Sequence, residues 1–139
     1  MVKYLLEVIY FMEKTVLVTG SSSGLGKSII EKFASNGWNT IITYLTHEKE
    51  AIEFNNYIIN TYKVDSKCFK LDVTSEKSIN ELNSKVTYLD VLINNAGISI
   101  DNDINLKSKD EFMKVVSVNL LGTFLMSKAF GKNMFERKS

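Results

Sequence analysis

The chain has 139 residues, 45% hydrophobic and 24% charged, enough for one globular domain with a real core and short for two. A formal net charge of +1, with Lys and Arg spread along the chain, argues against a nucleic-acid surface or a polybasic membrane patch. One cysteine, Cys68, and one histidine, His47, exclude an internal disulfide framework and a His/Cys metal cluster, and a lone thiol suits a reducing, cytoplasmic compartment.

The chain opens on MVKYLLEVIYFM, an apolar run too short to span a bilayer. It lacks the basic start and small-residue cleavage site of a signal peptide. Residues 1–11 are therefore read as an N-terminal extension, with Met1 or Met12 as the start, ahead of one domain over 12–139. TVLVT (15–19) is a short β-branched run of the buried-strand kind. The spacing of Leu25, Ile29 and Phe33 predicts a helix, with Gly37 as its stop. NTIITY (39–44) is strand-like, and Ala51, Phe54, Ile58 and Tyr62 make one helical face. KCFKLDV (67–73) predicts a third strand, Ile79, Leu82 and Val86 a third helix, and DVLIN (90–94) a fourth strand. Ser108, with Glu111 three residues on, forms a capping box. Phe112, Val116, Leu120, Thr123 and Phe130 then mark a long helix that no proline interrupts. Strand and helix alternate throughout. That pattern predicts an α/β fold: a doubly wound parallel sheet with right-handed crossovers, helices on both faces and strand order 3-2-1-4.

Between the first strand and the first helix stands TGSSSGLG (19–26). In a doubly wound fold this turn is where a phosphate is received. Gly20 permits a tight exit from the strand, Gly24 leaves room for a pyrophosphate, and Gly26 lets the helix pack near the sheet. Free N–H groups and the helix dipole at Leu25 and its neighbours favour an anion. Ser21, Ser22 and Ser23 add hydroxyl donors. A flexible surface turn is the plain alternative, and the flanking strand and helix argue against it.

The spacing T-G-x-x-x-G-x-G is followed in order by LDV (71–73), NNAG (94–97) and VNLLGTF (118–124). Together these motifs resemble the short-chain dehydrogenase/reductase family, from Lys14 to the end of the chain. The resemblance implies a Rossmann-like domain, truncated after the fourth strand and its following helix, in an NAD(P)-dependent oxidoreductase. It implies that Asp72 meets the adenine by its side chain and Val73 by its backbone. Asn94, Ala96 and Gly97 would line the cofactor, and Asn119 would be the catalytic asparagine. Asn95 is read instead as a structural tie between strands, and a helix polar residue stays open as the reading of Asn119. Within the family, ISIDNDINLKSKDEFMKVVSVNLLGTFLMSKAF is most similar to 3-oxoacyl-[acyl-carrier-protein] reductases. That similarity implies a small-molecule or carrier-linked carbonyl substrate and a place in fatty acid biosynthesis.

An NAD-binding member is expected to carry an acidic residue about 20 positions after the glycine motif. Here Tyr44, Leu45 and Thr46 stand at that strand end, and Glu48 follows at the start of the next helix. The missing acid favours NADP, with Tyr44 as a cofactor contact. Ser23, where many NADP-using members place a basic residue, keeps NAD open.

In the family a Ser and a Tyr-x-x-x-Lys pair lie beyond the asparagine helix and carry the chemistry. The only such spacing here, Tyr10 and Lys14, precedes the glycine loop and is set aside. Three readings follow: the N-terminal part of a reductase, a non-catalytic dinucleotide-binding module, or a half-enzyme completed by a partner chain or C-terminal fragment. Homo-oligomerisation through the long helix is common in the family.

Overall fold

The computed structural model describes residues 14–136, so the 1–11 extension, Met12 and Tyr10 lie outside the described residues. The β-branched runs become β1 (Thr15–Val18), β2 (Asn39–Tyr44), β3 (Ser66–Lys70) and β4 (Val91–Ile93). All pairings are parallel, in the order β3-β2-β1-β4, with Val16 opposite both Thr40 and Val91. This is the 3-2-1-4 sheet expected from the alternation of elements. The third strand is shorter than KCFKLDV suggests. Leu71 still donates its N–H to the Tyr44 carbonyl at 2.8 Å, after which the chain leaves the sheet.

The helices are α1 (Gly24–Ala34), α2 (Glu48–Tyr62), α3 (Glu76–Lys85), α4 (Lys109–Val116) and α5 (Gly122–Glu136). A single π turn, Ser117–Leu121, joins α4 to α5. Strand alternation divides the core in two. Leu17 and Ile41 face a cluster with Leu71, Ile79, Leu82, Met126 and Phe130, under α3 and α5. Val16, Val18 and Ile42 face Ile30, Phe54 and Ile58, under α1 and α2. Both faces of β2 are covered, which is why its sequence is a near-continuous apolar and β-branched run.

Two local signals in the sequence are realised at helix ends. Ser108 accepts the Glu111 N–H at 3.1 Å and the Glu111 carboxylate takes the Ser108 N–H at 2.7 Å, closing the capping box. Those bonds from Ser108 hold the Glu111 carboxyl below its ordinary range. Gly37 adopts φ +79 in the turn that leaves α1, donating its N–H to the Ala34 carbonyl at 2.9 Å.

Of the stripe that marks the long helix, Phe130 is buried. Phe112 and Leu120 are 57% and 68% exposed, and no residue of α4 is buried. The buried positions are Gly122, Leu125, Met126 and Phe130, all in α5. The π turn widens one helical turn by a residue and so shifts the helical period between α4 and α5. Leu25 is likewise turned out, 70% exposed, because Gly26, Ile30 and Ala34 carry the buried face of α1.

Candidate functional site

The glycine loop sits above the C-terminal ends of β1 and β2, the edge at which open parallel sheets receive ligands. Its three glycines answer three different constraints. Gly20 has φ +61, and a Cβ there would stand 3.1 Å from the Ala96 Cα. At Gly26 a Cβ would stand 2.5 Å from Asn95 Nδ2, 2.7 Å from the Gly20 carbonyl oxygen and 2.8 Å from the Ser21 Cα. Helix α1 is thus seated directly on the loop and on the end of β4. Gly24 has φ +55, and a Cβ there would meet nothing within 4 Å.

The first turn of α1 carries neither a side-chain cap nor a negative charge. Ser23 is its N-cap, in extended conformation, yet its side chain makes no capping bond. The first turn contains no acidic residue. The leading N–H groups of the helix are therefore not taken by a side-chain cap, and the positive end of the dipole faces outward. Ser23, Gly24 and Leu25 are exposed and Ser22 is half-buried.

Ser21 differs from its two neighbours. It is buried, its hydroxyl donates to the Val18 carbonyl at 2.7 Å, and it accepts the Thr43 N–H at 3.0 Å. Its hydroxyl is spent inside the fold, leaving Ser22 and Ser23 as the outward hydroxyls. Thr43 completes this attachment: its Oγ1 takes the Gly20 N–H at 3.0 Å, and its carbonyl takes the Ser21 N–H at 2.9 Å. On the other flank, Thr19 Oγ1 accepts the N–H groups of Asn95 and Ala96, both at 2.9 Å. Asn95 Nδ2 donates to the carbonyls of Thr19 and Gly20 at 2.9 and 3.1 Å. The loop is thereby fixed to β2 by Thr43 and Ser21, and to β4 by Thr19 and Asn95. The structural tie read into Asn95 is seen directly. Thr19 and Thr43 were not singled out, and the signal was present: a fully buried Thr in an apolar strand needs a hydrogen-bond partner.

Thr43→Val tests that attachment. The shape is kept, but the Gly20 N–H and the Val18 carbonyl each lose a partner. The expected loss is about 1–3 kcal/mol of stability for groups left unsatisfied, read as a lower urea midpoint at unchanged slope. An unchanged midpoint contradicts the role given to Thr43.

The other candidate residues gather along the same edge. Asp72 is half-buried, and its Oδ1 accepts from the Thr74 N–H at 2.9 Å and hydroxyl at 2.7 Å. Val73 is buried against Gly122, where a Cβ would come within 2.7 Å of Val73 Cγ2. Gly122 is a close-approach glycine that the pattern of apolar residues could not reveal. Asn94 is exposed at the end of β4 and donates Nδ2 to the Ser127 hydroxyl at 3.1 Å. Ala96 lies against Gly20, and Gly97 lies against Asn119. Tyr44 is brought to the end of β2 with its ring buried, and its hydroxyl donates to Glu48 Oε1 at 2.7 Å. The phenol pKa is pushed up to about 12, first by that bond and then by burial.

Asn119 lies in the π turn. Its Oδ1 accepts the Ile98 N–H at 2.8 Å and its Nδ2 donates to the Ile98 carbonyl at 3.0 Å. The Thr123 hydroxyl donates to the Asn119 carbonyl at 2.9 Å. The side chain therefore clamps the segment after β4 to the helix at the point where the helical period breaks.

The family model for short chain dehydrogenase matches residues 14–139. The chain belongs to the short chain dehydrogenase family. A 3-oxoacyl-[acyl-carrier-protein] reductase FabG of Aquifex aeolicus is 37% identical over 129 residues, covering 90% of this chain and 52% of that relative. Among solved structures, an alcohol dehydrogenase from the archaeon Thermococcus sibiricus, complexed with 5-hydroxy-NADP, superposes with a TM-score of 0.82 at 25% identity. It is matched over 88% of this chain and 53% of its own. An ElxO variant with NADPH bound superposes with a TM-score of 0.77 at 35% identity, over 88% of this chain and 51% of its own. The chain spans about half the length of the curated relatives it matches. The part of the family that this chain matches is its NAD(P)-binding region. Among the described residues, no helix is long and apolar enough to cross a membrane.

Proposed function

We propose that this chain carries the dinucleotide-binding part of an NADPH-dependent reductase acting on a carbonyl such as a 3-oxoacyl thioester. The observation that carries the reading is the open Gly24 beside a helix start with no side-chain cap and no acidic residue. NADPH is favoured because Tyr44, Leu45 and Thr46 supply no carboxylate at the strand end, and because the ElxO variant holds NADPH. The similarity to FabG supports the thioester substrate.

In this reading the bound cofactor supplies hydride to the carbonyl carbon. The chain's own residues bind and orient. The amides of residues 23–26 meet the pyrophosphate, with the Ser22 and Ser23 hydroxyls beside them. Asp72 and Val73 border the adenine, and Asn94, Ala96 and Gly97 border the ribose and nicotinamide. Asn119 holds the segment after β4 in place.

Proton delivery to the carbonyl oxygen falls to a Tyr-x-x-x-Lys pair, and no tyrosine after the glycine loop has Lys four positions on. General acid–base help contributes roughly 10²–10⁴-fold. Residues 1–139 alone are therefore expected to bind NADPH and to give no steady turnover with an acetoacetyl thioester, followed by absorbance of the reduced nicotinamide. Steady turnover contradicts the proposal. Turnover that appears only on adding a fragment bearing the Ser and Tyr-x-x-x-Lys favours the half-enzyme reading.

A further inference from the structure

Strand β2 ends on Tyr44, the position from which a carboxylate would address an unphosphorylated ribose. The Tyr44 side chain is not presented there. Its ring is 8% exposed. Alternation places it on the same face as Ile42, whose register partner is Cys68 and which packs against Phe54 and Ile58. Its hydroxyl reaches Glu48 Oε1 at 2.7 Å. Glu48 is the first residue of α2, so this bond staples the start of that helix to the last residue of β2. Glu48 is otherwise exposed, and it is the first carboxylate after the strand. Lys49, its neighbour, pairs instead with Glu53, at 4.0 Å. The Tyr44 hydroxyl is thus the group that fixes where this carboxylate stands.

We propose that Tyr44 is a specificity-positioning residue: its hydroxyl holds the Glu48 carboxylate against the seam of β2 and α2, away from the 2′ position of the adenosine ribose. A held carboxylate leaves that space free for the 2′-phosphate of NADP. A released one sweeps the exposed end of β2 and repels the phosphate, while accepting hydrogen bonds from the 2′-hydroxyl of NAD. Cofactor choice then depends on a hydrogen bond between two residues of the protein, neither of which touches the phosphate. The inference rests on the dinucleotide reading above and extends it to what discriminates the two cofactors.

The test is calorimetric titration of the chain with NADPH and with NADH, for the wild type, Tyr44→Phe, Glu48→Gln and the double variant. Tyr44→Phe keeps the buried ring and removes only the tether. It is expected to weaken NADPH about tenfold, the scale of one added like charge a few ångströms away in a partly aqueous site. NADH is expected to bind as before or tighter. Glu48→Gln alone is expected to leave the ratio of the two affinities within about twofold. The double variant is expected to regain wild-type NADPH affinity, which a merely structural role for the hydroxyl would not produce. An unchanged ratio in Tyr44→Phe overturns the proposal. So does tighter NADPH binding in Glu48→Gln, which would place the held carboxylate already against the phosphate. A double variant that stays weak also overturns it. A wild type that binds neither cofactor overturns the dinucleotide reading itself, a result distinct from an unchanged ratio.

Discussion

Gly26→Ala is expected to lower the stability of the domain by about 3 kcal/mol, the upper end of what overpacking produces. The added methyl would stand 2.7 Å from the Gly20 carbonyl oxygen and 2.8 Å from the Ser21 Cα, and both are backbone atoms. Neither can rotate away. The third neighbour, Asn95 Nδ2 at 2.5 Å, is a side-chain atom held by two backbone carbonyls. Relief therefore requires α1 to lift off the loop, which separates Ile30 and Ala34 from the core beneath them. The urea unfolding midpoint measures the loss. A midpoint equal to the wild type's contradicts the close seating of the helix on the loop.

Gly24→Val is expected to fail in the opposite way, through the ligand. Beyond its chain neighbours and its own helix backbone, nothing lies within 4 Å of the added Cβ, so the fold has room for it. The residue keeps φ +55, a left-handed conformation that costs an L residue about 1–2 kcal/mol, and more for a β-branched one. On the proposed function the pyrophosphate would occupy the space that the side chain enters, and NADPH binding is expected to vanish. Backbone strain alone is controlled by Gly37→Val. Gly37 has φ +79 and equally open surroundings, but it lies beyond the far end of α1. The two valine variants should lose comparable stability, while only Gly24→Val loses NADPH in a calorimetric titration. Equal retention of binding in both contradicts the phosphate-loop assignment.

These two glycines show what the sequence made legible and what it did not. The order 3-2-1-4 follows from alternating elements and the handedness of crossovers, so it could be read without coordinates. The tight exit at Gly20 and the close seating at Gly26 follow from their places between a strand and a helix, and the structure shows both. The three serines between them look equivalent in sequence. Only the fold shows Ser21 turned inward to Val18 and Thr43, with Ser22 and Ser23 left outside. Thr43 reads as a β-branched strand residue, because periodicity reports burial and not the direction of a hydroxyl. Phe112, Val116 and Leu120 marked a helix in the sequence, but their period alone did not show the π turn at 117–121. The Tyr44–Glu48 bond was hidden for a related reason. Pairing rules at a separation of four apply within one helix, and this pair spans a strand, a turn and a helix start.

The central claim is that the loop from Gly20 to Gly26 binds the phosphates of a dinucleotide. At 15.8 kDa the chain is small enough for its backbone amides to be followed individually by NMR. NADPH should be titrated into the labelled chain, with Gly24→Val as the comparison. The predicted result is saturable shifts concentrated at residues 20–26, 72–73 and 94–97, absent in Gly24→Val. Absence of saturable shifts in the wild type, or shifts that leave residues 20–26 unmoved, would contradict the claim.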